Sequence, residues 1–251
     1  MKKYMCSLLL SACFLLASCS TAPEPPQTTI SVETETVLPS ETEPLHSNLY
    51  VPGVSVEDAL VYFNEVCLNA EFINSGDPSL LQQWDSPILY ALYGNYTAED
   101  LEVLSQFTQW LNALEGFPGI SPAQESWQAN MAIHFTDQQG LLERMGPQFT
   151  GMDGALTFWY EEDVIYDAII CIRTDLDQTL RNSVILEELY NCLGPVQDTS
   201  LRSDSIIYSE FSQPQALTAV DELLLKLLYH PALSPGMDAA QCEAVIRELY
   251  Y

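Results

Sequence analysis

Residues 187–194 read Glu187-Glu188-Leu189-Tyr190-Asn191-Cys192-Leu193-Gly194; Ser205-Ile206-Ile207-Tyr208 follows, and then LTAVDELLLKLLY over 217–229. The first run lies within NSVILEELYNCL, whose apolar residues recur at helical spacing after Asp177. Gly194-Pro195 ends that helix, because glycine accepts the left-handed backbone of a helix terminus and proline cannot continue the hydrogen-bond ladder. SIIY is a short apolar run, and LTAVDELLLKLLY reads as a second helix. A Pro- and Gly-punctuated loop, HPALSPGM, precedes a last helix in MDAAQCEAVIRELY. After Asp177 the chain is therefore expected to be helical.

The residues before Asp177 read differently. Ser55 is placed to cap a helix in SVEDALVYFNEVCLNAEF. SPILYALYGNY has strand character and is closed by the Gly94-Asn95 turn signal. Thr97 is the expected cap of a helix in TAEDLEVLSQFTQWLNALEG, with Glu99 and Asp100 in the first turn favouring its positive end. ANMAIHF and IYDAIICIR are further strand candidates, separated by Gly-rich turns around Gly140 to Gly154. The order is helix, strand, helix, strands, then three helices. It predicts an α+β fold with a sheet-and-helix N-terminal lobe and a helical C-terminal lobe.

Taken in order, these runs resemble the metzincin and matrixin-like zinc peptidases. That family carries HExxHxxGxxH, then a methionine-containing turn, then a closing helix ending in Leu-Tyr. The resemblance implies a zincin (metzincin)-like fold over 48–251, with Glu188 on the general-base position and Gly194 on the helix-ending glycine. Ile207 stands where the turn methionine is expected, and Asp221 and Tyr229 belong to the closing helix. The departures concern the metal. The ligand positions carry Glu187, Asn191 and Gln197, with Asp198 following, in place of histidines. Imidazole suits Zn²⁺ as a neutral nitrogen donor, whereas amides are poor zinc ligands. His46, His134 and His230 are the histidines of the chain, and their spacing does not rebuild the motif. No metal and no cofactor is therefore expected, and zinc-dependent hydrolysis at Glu188 is not expected either.

The last 70 or so residues also resemble an uncharacterised bacterial family of lipoproteins that carry a domain of unknown function. Its members share an EELxQxLG-like segment, SIF, a DxxLLxLLY helix and a PxLxxGM ending. Here these are EELYNCLG, SIIY, DELLLKLLY and PALSPGM. The resemblance implies a zincin-like scaffold without zinc ligands and lends no activity.

Plainer readings stand beside these. Glu187 and Glu188 also fit a solvated acidic face. Glu187 and Asn191, four residues apart, share a helix face on which a hard cation such as Ca²⁺ could be held by oxygens. Asp198 after Gly194-Pro195 is the residue type of a turn, and Asp221 suits the start of a helix. His134 reads as a packed strand histidine, and core packing accounts for Trp84, Trp110, Trp127 and Trp159. The sequence shows no GxSxG elbow, P-loop or dinucleotide fingerprint.

The start of the chain carries a separate message. Residues 1–18 have basic Lys2 and Lys3 and a short apolar run, the layout of a secretory signal peptide. Leu16-Ala17-Ser18-Cys19 resembles the bacterial lipobox, which implies lipid attachment at Cys19. Residues 19–47, rich in Thr, Pro, Glu and Ser, read as an acidic tether too poor in apolar groups to fold. Of 251 residues, 35 are acidic and eight basic, a formal net charge of −27. That balance disfavours nucleic acid and anionic headgroups. Cys67, Cys171, Cys192 and Cys242 lack CxxC spacing, and disulfides and free thiols both stay open.

The function expected is that of a membrane-anchored, extracytoplasmic lipoprotein whose non-catalytic metzincin-like domain acts as a binding or structural module of the cell envelope. Its partners would be the membrane, through the lipid, and an envelope protein or peptide. One alternative is a peptidase-like hydrolase with an oxygen-ligated metal or a metal-free acidic site at Glu187, Glu188 and Asp198. Another is a solute-binding lipoprotein serving a transporter.

Overall fold

The computed structural model describes residues 49–68, 80–195 and 197–250. The signal segment, Cys19, the tether with His46, and the expected extension of the first helix past Leu68 lie outside these residues.

Capping residues set most of the helix starts. Ser55 and Asp58 exchange hydrogen bonds at the head of α1 (Val56–Leu68), each with the other's backbone N–H at 3.1 Å. Thr97 and Asp100 form a reciprocal capping box on α2 (Ala98–Asn112). Asp177 accepts from Leu180 N to start α4 (Gln178–Asn191). The boxes Thr218/Asp221 and Asp238/Gln241 open α5 (Ala219–Leu228) and α6 (Ala239–Leu249). In each case a side-chain oxygen satisfies a backbone N–H that the first helical turn leaves without a partner.

The strands β2 (Ile88–Gly94), β3 (Ile120–Pro122), β4 (Met131–Thr136) and β6 (Val164–Arg173) form a parallel sheet in the order β6-β4-β2-β3. The two-residue β1 (Gln83–Trp84) pairs in parallel with the start of β6. β5 (Gly154–Glu161) runs antiparallel to β6 along nearly its whole length. The sheet buries Ile88, Met131, Ile133, Phe135, Ile170 and Ile172. One apolar core runs from these side chains through α1, α4 and α5 to Ile246 of α6. The architecture is thus mixed α/β, with a largely parallel sheet and six helices.

The region expected as Gly-rich turns around Gly140 to Gly154 is structured instead. It contains a short helix, α3 (Gln138–Met145), capped by Asp137, and the beginning of β5. The β5–β6 hairpin turns on Glu162 and Asp163, both with positive φ (51° and 63°). Two-residue hairpins that match the strand twist need this conformation and usually take Asn-Gly or Asp-Gly. A Glu-Asp pair gives no such signal, so the hairpin is hidden in the sequence. Among the described residues no helix is long and apolar enough to cross a membrane.

Candidate functional site

Beyond its start, helix α4 carries two buried polar systems, one at its C-terminal end and one on a flank, and they are built in opposite ways. Its start is tied to α2: Arg181 Nε donates to Asp100 Oδ1 at 2.9 Å, and Gln178 Nε2 donates to the same oxygen at 2.7 Å. Asp100 is fully buried. This ion pair, which no local pattern announces, fixes where the helix begins over the sheet.

The carbonyls just past α4 are partnered. The Cys192 carbonyl accepts from Trp84 Nε1 at 2.9 Å, and the Leu193 carbonyl accepts from Tyr229 Oη at 2.6 Å. Gly194 takes φ 123°, and its α-carbon lies against the Gln82 carbonyl where a Cβ would collide. Tyr190 Oη donates to the Asp221 carbonyl at 2.9 Å.

The Asp221 side chain is the hub of this end of the helix. It caps α5 through Thr218 N (2.9 Å) and Thr218 Oγ1 (2.8 Å). It also accepts from Ser205 Oγ at 2.6 Å, Ile206 N at 3.3 Å and Tyr62 Oη at 3.2 Å. One buried carboxylate therefore holds α1, the 205–208 turn and α5 together. The turn is further held by Thr199 N to the Ile207 carbonyl and Ser209 N to the Thr199 carbonyl, both 2.9 Å. Ile206 and Ile207 are buried beneath it. A dipole role for Asp221 is thus only part of its work. Ser205 and Tyr62 are the partners that sequence reading does not supply.

The flank of α4 facing β5 is the reverse case. Glu188 is 3% exposed and its Oε2 has no hydrogen-bond partner. Asn191, also 3% exposed, donates through Nδ2 to Asp198 Oδ1 at 3.4 Å, and its Oδ1 is unpartnered. Gln197 Oε1 is buried and unpartnered as well. Glu187 keeps part of its surface open to a cleft that it shares with Glu188, Asp153, Gly154, Glu210 and Phe211. Burial pushes the Glu187 carboxyl well above the usual carboxylate range, and the charges of Glu188, Asp198 and Asp153 push in the same direction. Glu188 is raised by burial first and then by Asp198. Desolvation and like charge both favour the protonated acid, so the solvated-face reading of this pair does not hold.

Gly154 makes this proximity feasible. A Cβ there would lie 2.5 Å from Glu188 Oε1 and 2.6 Å from Val184 Cγ1. A glycine opening a strand is the one sequence sign of such an approach. Nothing in the sequence marks Phe211, which is 65% exposed on the rim.

The motif positions Glu187, Glu188, Asn191 and Asp198 do come together, with Gln197 just before Asp198 in the chain. Zinc, which the peptidase resemblance implies, does not fit them. The donors are amides and carboxyls, and among the described residues no group of three or more His, Cys, Asp or Glu is placed to hold a metal ion. The described histidines serve elsewhere. His134 stacks on Tyr93 with ring centroids 4.7 Å apart, and His230 Nδ1 accepts from Ala232 N at 3.1 Å. Cys67, Cys171, Cys192 and Cys242 are buried free thiols. Trp84 is a core residue, but Trp127 is 80% exposed, so core packing does not account for all four tryptophans.

No curated protein matches the chain significantly. A family model described as a protein of unknown function, DUF2927, matches residues 57–248, a span that takes in α2 to α5 whole, nearly all of α1 and α6, and both polar systems of α4. The chain belongs to the DUF2927 family.

Proposed function

We propose that this chain is a lipoprotein, anchored through Cys19 on the outer face of a membrane. Its metzincin-like domain acts without catalysis, as a binding module of the cell envelope. The observation that carries this reading is the contrast within α4. The helix–glycine–turn–helix framework is complete in every hydrogen bond around Asp221, while the positions that would ligate zinc hold Glu187, Asn191 and Gln197. A scaffold kept intact around an inert metal position is what a recognition domain derived from an enzyme requires. The signal layout of residues 1–18 and the acidic segment 19–47 support the anchored, extracytoplasmic placement.

The test is metal analysis and peptide turnover on the full chain, purified in detergent without chelator. The proposal expects less than stoichiometric zinc and no chelator-sensitive cleavage of peptides. About one equivalent of zinc, with cleavage abolished by Glu188→Gln, would overturn it.

A second reading rests on a specific observation. Glu187 and Glu188 are neighbouring acids with raised proton affinity in a cleft, which is how general acids are tuned. On this reading the domain is a metal-free hydrolase. Substituting either acid would then abolish an activity while leaving the melting temperature nearly unchanged.

A further inference from the structure

We infer that the cleft beside α4 receives the guanidinium group of an arginine carried on a basic polypeptide, set against Glu187 and Glu188 and stacked on Phe211. The inference rests on the reading of the domain as a binding module and names what the module takes.

The first support is an unmet acceptor. Glu188 lines the cleft, is 3% exposed, and has an Oε2 without a partner. Buried polar atoms are nearly always hydrogen-bonded, so an orphan on a cleft wall marks where a donor is meant to arrive. The second is the sign of the surroundings. Asp153, Glu187 and Glu210 also border the cleft. The nearby cation, Arg173, is committed to Asp153 at 3.1 Å and Asp175 at 2.7 Å. A net charge of −27 adds long-range attraction for a basic chain.

The third support is the rim. Phe211 is 65% exposed, and Tyr208 beside it donates its hydroxyl to Glu210 Oε2 at 3.2 Å. An exposed ring bordering a carboxylate cleft suits a planar cation, which can stack on the ring while its edge donates to the acids. Guanidinium is weakly hydrated and presents a fork of donors, whereas ammonium is a compact and strongly hydrated charge. The cavity volume of about 40 Å³ takes a side-chain head group and leaves the rest of its carrier outside. That is why the occupant is assigned to a polypeptide and not to a free solute. A divalent ion is disfavoured by the lack of three grouped His, Cys, Asp or Glu among the described residues.

The experiment is calorimetric titration of the full chain in detergent with a neutral-capped pentapeptide bearing a central arginine. Its counterpart with neutral, isosteric citrulline and N-acetylarginine amide serve as comparators. The expected result is at least about tenfold tighter binding of the arginine peptide than of the citrulline peptide, the size of a charge-assisted bidentate contact, and weaker binding of N-acetylarginine amide, which lacks the flanking backbone. An arriving guanidinium favours the ionised form of Glu188, and Glu188→Gln, which cannot ionise, should erase the preference over citrulline. Phe211→Ala, at an exposed position, should weaken the arginine peptide by about threefold with no change in melting temperature. Equal binding of the arginine and citrulline peptides, or a preference that survives both substitutions, would overturn the site. Equal binding of N-acetylarginine amide would overturn the polypeptide assignment. Mass spectrometry of the recovered peptide separates the two levels: cleavage would refute the non-catalytic reading, while the arginine-over-citrulline preference alone decides the guanidinium site.

Discussion

The Asp221 hub and the Glu188 flank are both buried, both acidic and both in contact with α4, yet one is saturated with donors and the other is starved of them. Asp221 accepts from Thr218, Ser205, Ile206 and Tyr62, so its desolvation is compensated by charge-assisted bonds. Glu188 lies against Gly154 and leaves Oε2 without a partner, with Asn191 and Gln197 oxygens orphaned nearby. Satisfied burial of a carboxylate fixes structure. Unsatisfied burial costs stability and is tolerated where the missing partner comes from outside the chain. The same helix therefore separates scaffold from candidate site.

The sharpest way to break this contrast is Asp221→Ala. It strips buried donors on three elements of their acceptor, and a loss of about 3–5 kcal/mol is expected in urea unfolding. A loss below about 1 kcal/mol would show that the Thr199–Ile207 and Ser209–Thr199 backbone bonds hold the turn unaided.

Gly154→Ala comes next. Its Cβ would press on Glu188 Oε1 and Val184 Cγ1, and overpacking of this kind costs about 1–3 kcal/mol. Adding Glu188→Ala should return part of that loss. Strict additivity in the double-mutant cycle would mean that the strand is not seated on the glutamate.

The third expectation concerns pH. Glu187 and Glu188 have folded-state proton affinities raised above their ordinary value of 4.5, first by burial. Above 4.5 the unfolded chain releases protons that the native acids retain, so the native state binds more protons and stability falls as pH rises. Their contribution is complete below the unfolded value and is lost as pH climbs through the raised folded values. Asp153, Asp163 and Asp167, also raised chiefly by burial, act in the same sense. Glu188→Gln, a permanent mimic of the neutral acid, should be more stable than the parent at neutral pH and should flatten the decline above 4.5. Melting curves that run parallel for the two proteins across this range would refute the protonated reading of Glu188.

The smallest effect belongs to the rim. Phe211→Ala should leave stability within about 0.5 kcal/mol, because the ring packs little surface. A larger loss, measured by urea unfolding, would make Phe211 a core residue and remove it from the recognition surface.

What could be read from the chain alone was what neighbours within a helical turn decide. Ser55 and Thr97 cap where their side-chain oxygens meet a backbone N–H three residues on. Gly194 takes its positive φ three residues past the end of α4, and the apolar spacing of 217–229 places α5. The motif positions at 187, 188 and 191 share a helix because three and four residues make one turn. The α+β expectation captured the element order after Asp177 but missed β5, because its hairpin turns on Glu162-Asp163 without glycine. The parallel sheet order was likewise beyond the reach of local pattern.

Tertiary structure alone decided which acids are scaffold and which line the candidate site. Asp100, Glu188 and Asp221 each stand beside a second acidic residue on a helix, and the letters alone do not say how each is partnered. Their fates diverge because Arg181 reaches the first, Ser205 and Tyr62 reach the third, and the second lies against Gly154 with its Oε2 unpartnered. The energy of a buried carboxyl depends on which donors distant parts of the chain bring to it. That is a property of the assembled fold and not of the residue's neighbours in sequence.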